Sequence, residues 1–136
     1  METMTMNYWA VVVAAVVYMI LGALWYSPAL FGKAWMKGIG KTKEQVNANA
    51  SAVNYIIAII GSFIACYGIA RLMIMTGRTS ISDGITIAVL VGICFMLTTF
   101  GINDTFEKRP AGLTVINILY HLVGFIVAGI IIGAWR

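Results

Sequence analysis

Charge is what this chain has least of. Of its 136 residues only 10% are charged, five of them acidic, and 61% are hydrophobic. A water-soluble domain of this size needs far more charge to cover its surface, so the composition excludes an ordinary soluble protein. The mean hydropathy of +0.93 agrees. Cysteine occurs twice and histidine once. Cys66 and Cys94 both sit inside apolar runs, which argues against a disulfide framework or a cysteine-based metal site. Two free, buried, inert thiols are expected instead. Gly-rich phosphate loops, nucleophile elbows and zincin-type His-Glu pairs are missing, so no catalytic residue, metal ligand or cofactor is assigned. The first apolar run lacks a basic leader and a small-residue cleavage site, so it reads as a retained span.

What is present is long apolar runs. Crossing the hydrocarbon takes about 20 residues of helix, and four stretches meet that need, at 8–26, 52–75, 84–102 and 113–135. The expected fold is a single all-α membrane domain of four transmembrane helices arranged as two helical hairpins. Tyr8-Trp9 and Trp25-Tyr26 bracket the first span as an aromatic belt would, and Pro28 ends its helix. Beyond it, Lys33 and Lys37 are four residues apart around Trp35, the pattern of a short helix lying in the headgroup plane. Trp25, Tyr26, Lys33, Trp35 and Lys37 are therefore the expected interfacial anchors. Thr42 and Gln45 form a capping-box pair, and Ser80 with Asp83 marks a second helix start. Arg71 lies near enough to its span's end to snorkel.

The net charge of +4 is no nucleic-acid signal, because the basic residues flank the spans. They read as orientation determinants and as contacts for anionic headgroups, chiefly along Lys33 to Lys43. Lys33, Lys37, Lys41 and Lys43 precede the second span, and Lys108 and Arg109 precede the fourth. The opposite side carries Arg71, Arg78 and Arg136. The positive-inside rule then puts the two Lys-bearing loops in the cytoplasm and both termini outside.

Spans two and four share a spacing. Asn54, Ala58, Gly61, Ala65 and Gly68 recur at four, three, four and three residues, and Asn117, His121, Gly124 and Ala128 repeat the first three intervals. Each set is one stripe on a helix, and small residues on such a stripe let another helix approach closely. Gly61, Ala65, Gly68, Gly124, Ala128, Gly129 and Gly133 are the expected helix-packing positions. A tandem duplication of the hairpin accounts for the match, and chance similarity in apolar sequence competes with it. On that alignment His121 replaces Ala58, so the second hairpin is the chemically specialised one.

The polar chemistry gathers between spans three and four. Asn103, Asp104, Glu107 and Arg109 occur within seven residues, and Asn117 and His121 lie one and two turns into span four. Ionisable groups at that depth face a bundle interior or a watery cavity. Two readings stand. The residues lock the helices together, with carboxylates pairing to Arg109 and His121 as an interhelical hydrogen-bonder, or they line a path together with Asn54. A histidine ordinarily titrating near 6.5 also suits a pH-responsive element.

Four blocks resemble a known family: Trp25-Tyr26-Ser27-Pro28-Ala29-Leu30-Phe31-Gly32-Lys33-Ala34-Trp35, Asn103-Asp104-Thr105-Phe106-Glu107-Lys108-Arg109-Pro110, Ile116-Asn117 with Tyr120-His121-Leu122, and Gly133-Ala134-Trp135. The chain is similar over nearly its whole length to a family of small bacterial and archaeal integral membrane proteins, domain of unknown function seventeen sixty-one. The resemblance implies four spans in the cytoplasmic (inner) membrane of a prokaryote and brings no activity with it. The leading expectation is a homo-oligomeric channel or transporter for a small ion or solute. The alternative is a structural or lipid- or partner-binding protein without transport. A membrane enzyme ranks third, needing a cavity that joins Asp104, Glu107 and His121.

Overall fold

The computed structural model describes residues 5–135, all helix and connections; Arg136, counted above with the outer basic residues, lies outside them. Six helices follow in order: α1 Tyr8–Trp25, α2 Gly32–Ile39, α3 Lys43–Asn49, α4 Ala52–Met75, α5 Ile81–Phe106 and α6 Ala111–Ala134. Four of them, α1, α4, α5 and α6, are long and apolar enough to cross a bilayer. A helix satisfies its backbone hydrogen bonds within one segment, so each of the four long apolar runs forms helix.

The helix ends follow from local chemistry. Asn7 caps α1 through its side-chain oxygen, and both Thr42–Gln45 and Ser80–Asp83 close full capping boxes. The third span starts three residues before the expected 84 and runs four beyond 102, because Ser80 supplies the cap and the polar cluster continues the helix. Asn103 and Asp104 thus belong to its last turns, and the fourth span opens at Ala111 rather than 113. The chain reverses over only Glu107 to Pro110. Arg109 N–H reaches back to the Asp104 carbonyl at 2.9 Å and Lys108 N–H to that of Thr105 at 3.3 Å, the paired bonds of a Schellman ending. The left-handed residue this ending requires is Lys108, at φ 57°. At the matching ends of α2 and α4 it is Gly40 and Gly77. A lysine in that conformation costs about 1–2 kcal/mol that glycine does not.

One feature of α5 is not periodic. Between Gly92 and Leu97 its hydrogen bonds widen to a π turn. Thr98 and Thr99 hydroxyls donate to the Cys94 and Phe95 carbonyls of that turn at 2.9 and 2.6 Å.

Packing centres on α6. It touches α1, α2, α4 and α5, and its seam with α5 is the most extensive. This is a bundle around one helix; the two hairpins are not separable units. The seam closes through glycine: Gly84 and Gly129 meet backbone to backbone, a Cβ on Gly133 would lie 2.5 Å from the Ser80 carbonyl oxygen, and one on Gly92 2.6 Å from Leu122 Cδ1. Gly124 lies under the Tyr18 ring, with Ala128 buried beside it in the core. The α4 stripe differs. Nothing approaches the Cβ positions of Gly61 or Gly68, and Asn54 is exposed. Cys66 is fully buried, whereas Cys94 is exposed on α5, its run of apolar neighbours facing outward instead of in.

At the end away from the reversal, Asn7 Nδ2 donates to the Trp135 carbonyl at 3.2 Å, so the start of α1 and the end of α6 lie on one side. At the other end Trp35 and Met36 of α2 are half-buried and Gly38 rests on Leu113, while Lys33 and Lys37 point outward.

Because α5 and α6 meet backbone to backbone, Gly129→Val overfills the seam and lowers stability by about 1–3 kcal/mol, whereas Gly61→Ala leaves it unchanged or raised. Unfolding of the detergent-solubilised protein by increasing SDS measures both, and equal effects at the two positions contradict this packing.

Candidate functional site

A phenol in mid-span must find a partner, because water is not there to serve it. Tyr18 is such a residue, buried on α1, and its hydroxyl bonds the Nδ1 of His121 on α6. Tyr120, one position before the histidine, donates from its hydroxyl to the Tyr18 carbonyl at 3.1 Å and meets the Tyr18 ring edge-on at 5.2 Å. Gly22 makes room for it, since a Cβ there would sit 2.7 Å from the Tyr120 oxygen. Two more bonds lie nearer the reversal. Tyr26 donates to Asn117 Oδ1 at 2.7 Å, and Trp25 Nε1–H donates to the Ile116 carbonyl at 3.1 Å. Trp25 and Tyr26 are thus more than end-of-span aromatics: their polar tips fasten α1 to α6 while their rings pack on Phe31, Trp35 and Tyr120. That double use suits side chains with an apolar body and a single donor.

The acidic part of the site forms around Asp104, which is only 7% exposed. Thr114 donates to one of its oxygens at 2.6 Å across the reversal, and the Arg109 guanidinium stands 3.8 Å from the other. Arg109 Nε–H donates to Glu107 at 2.8 Å. The Glu107 carboxylate, by accepting that bond and lying beside it, holds the guanidinium above its usual pKa, so it stays charged. Asn103, Asp104, Glu107, Arg109 and Asn117 share a polar recess of about 290 Å³ that also takes in Thr99 and Phe100. Five of the seven sequence-derived polar candidates are therefore gathered there. Asn54 stays apart.

His121 opens instead onto a second cavity, of about 440 Å³, between α4, α5 and α6. Tyr18, Tyr120, His121 and Phe125 form one wall, Met96 and Phe100 of α5 a second, and Ile57, Ala58, Gly61, Ser62 and Ala65 of α4 the third. The small-residue stripe of α4 is here a wall, since no helix covers it. Phe100 borders both cavities and stacks on the His121 ring at 5.5 Å and 27°. It stands between the polar recess and the membrane chamber. The π turn of α5 contributes Met96 and ends just before Phe100, so the one irregular stretch of a span lines the chamber.

Tyr18, Tyr120, Phe100 and Thr114 carry much of this site and are not polar outliers by composition. One signal was available for Tyr18: a mid-span hydroxyl needs a partner, and the single histidine is a side-chain acceptor at similar depth in another span. Among the described residues no group of three or more His, Cys, Asp or Glu could hold a metal ion.

Fold and site together define a four-helix membrane protein with a polar recess at the helix reversal and a chamber at mid-span. The model of one family, Protein of unknown function (DUF1761), matches residues 9–133, and the chain belongs to that family. Comparison with curated proteins and with solved structures finds no match.

Among the described residues Tyr26 is the one side-chain partner of the Asn117 amide, so Tyr26→Phe leaves the amide oxygen unpaired and lowers stability by about 1 kcal/mol, the scale of an interhelical hydrogen bond in a membrane. Asn54→Ala has no effect by the same SDS titration. A loss at Asn54 equal to that at Tyr26 contradicts the arrangement.

Proposed function

We propose that the protein moves a small ion or solute across a prokaryotic cytoplasmic membrane, using the chamber beside His121 as its binding place and the polar recess as the mouth. The observation that carries this reading is Phe100, which borders both cavities and stacks on the histidine between them. One aromatic ring separates a charged vestibule from a chamber at mid-span, an arrangement a pure lock does not need. Asp104, Glu107 and Arg109 present charge at the mouth, and Asn117 and His121 present hydrogen bonds further in.

The positive charge of the Lys33–Lys43 segment and of Lys108 and Arg109 supports a mouth facing the cytoplasm, with the ends of the chain outside and anionic headgroups beside the lysines. Four helices enclose little on their own, and the acting unit is a homo-oligomer. An apolar groove of about 400 Å³ on the outer face of α1 and α4, lined by Val16, Met19, Ile20, Ile59 and Phe63 among others, supports the docking of a second copy there.

A second reading has its own support. Asn117, His121 and Asp104 each already hold a partner within the bundle. On that basis the cluster is a lock, and the protein a structural or lipid-binding module. Flux separates the two. In proteoliposomes tested with protons, potassium, chloride and small neutral solutes, the transport reading expects protein-dependent flux of at least one. Phe100→Ala raises that flux several-fold by joining mouth and chamber. No flux in any assay, with Phe100→Ala also silent, leaves the lock.

A further inference from the structure

The chamber has a chemistry more specific than "small solute". His121 is the eleventh residue of α6, which puts it about 15 Å along the helix from Ala111 at 1.5 Å per residue. That is close to the middle of a hydrocarbon layer about 30 Å thick. The chamber's third wall, Ala58 and Gly61 of α4, is exposed, so it opens sideways between α4 and α5 at bilayer depth. A molecule arriving by that route comes from the lipid.

The polar group it meets can be specified. Among the described residues the Tyr18 hydroxyl makes one hydrogen bond, to His121 Nδ1. A phenol O–H in hydrocarbon surroundings must donate, and among those residues His121 Nδ1 is the one acceptor it has. The neutral imidazole therefore accepts at Nδ1 and carries its proton on Nε2. Nε2 makes no hydrogen bond within the described chain, and the ring lines the chamber. The ring that lines the chamber thus carries its N–H donor on Nε2, oriented from behind by a buried tyrosine. Around it stand the rings of Phe100, Phe125, Tyr18 and Tyr120, which favour stacked or edge-on aromatic contact. Most of the remaining lining is aliphatic or thioether, and the Ser62 hydroxyl is already donated to the Ala58 carbonyl at 2.7 Å.

We infer that the chamber binds a lipid-soluble planar ring bearing a carbonyl oxygen, a quinone being the simplest form, with the carbonyl accepting from His121 Nε2–H and the ring lying among the aromatic side chains. The inference rests on the chamber being a binding place, as in the transport reading, but does not require that the ligand be moved.

Gly61 makes a clean test. Nothing lies within 4 Å of its Cβ position, so Gly61→Phe fills the chamber from the open side without displacing a packed neighbour. Gly68, two turns on along α4, has the same freedom and lies outside the chamber, so Gly68→Phe is the matched control. The probe is a benzoquinone with a short alkyl tail, titrated into the full-length protein in lipid nanodiscs. The readout is quenching of tryptophan fluorescence, to which Trp25 contributes at 6.4 Å from the chamber residue Tyr120. The wild type and Gly68→Phe show saturable quenching. Gly61→Phe raises the half-saturating concentration at least tenfold. The dimethoxybenzene counterpart, which has no carbonyl, displaces the quinone from the wild type only at concentrations at least tenfold higher than a non-quenching saturated quinone analogue needs. Quenching that never saturates, or that is the same in wild type and Gly61→Phe, overturns the site. Displacement by the dimethoxybenzene at the same concentration as by the saturated analogue overturns the carbonyl assignment. Saturable binding without flux in proteoliposomes leaves this inference standing and removes the transport reading alone. Flux without saturable binding does the reverse.

Discussion

A hydroxyl and an imidazole placed in the middle of a hydrocarbon layer must answer each other, and most of this structure depends on that pair. Tyr18 on α1 and His121 on α6 are 103 positions apart in the chain. Their bond sets the register of the two helices, and the neighbouring contacts follow from it: the Tyr120 hydroxyl on the Tyr18 carbonyl, the Tyr18 ring over Gly124, and the Tyr26 and Trp25 donors on the first turns of α6. Lipid provides no hydrophobic reward for one helix touching another, so specificity must come from hydrogen bonds and close packing. The α1–α6 face uses the first and the α5–α6 face uses the second, through Gly84, Gly92, Gly129 and Gly133. With α6 held on both sides, α4 meets it less fully, and the chamber is the space left between α4, α5 and α6.

The fold was readable to the extent that physics acts locally. Long apolar runs made four spans, and capping chemistry at Thr42 and Ser80 started helices where those residues stand. The stripe through Gly124, Ala128, Gly129 and Gly133 announced a packed face, and these four residues are buried. The same signal at Gly61 and Gly68 led elsewhere, since a stripe permits close approach without supplying the helix that approaches. The third span's extension to Phe106 was hidden for a related reason: polar residues end an apolar run but not the helix, and Asp104 is drawn inward by Thr114. The π turn at Gly92–Leu97 leaves no mark in a pattern that is apolar all round.

The site was partly readable. Asn103, Asp104, Glu107, Arg109 and Asn117 stood out as polar residues in an apolar chain, and the structure gathers them in one recess. What the pattern could not show is that His121 faces a different space, beyond Phe100, or that the walls of that space are ordinary aromatic and small residues. Those are pairings between distant helices, and pairwise geometry is not written in one helix's periodicity. Lock and path are opposed when only the residues are considered; in the reading proposed above they use different atoms of one side chain, Nδ1 of His121 serving the bundle through Tyr18 and Nε2 left for the chamber.

That division of one ring can be observed directly, because the chain contains a single histidine. Nitrogen-15 solid-state NMR of the histidine-labelled protein in bilayers sees one imidazole with two nitrogens. The expected spectrum is that of a neutral ring with the proton on Nε2 and an unprotonated Nδ1 in a strong hydrogen bond, whose resonance shifts when Tyr18 is replaced by Phe. A proton resident on Nδ1, or a Nδ1 signal indifferent to Tyr18→Phe, contradicts it.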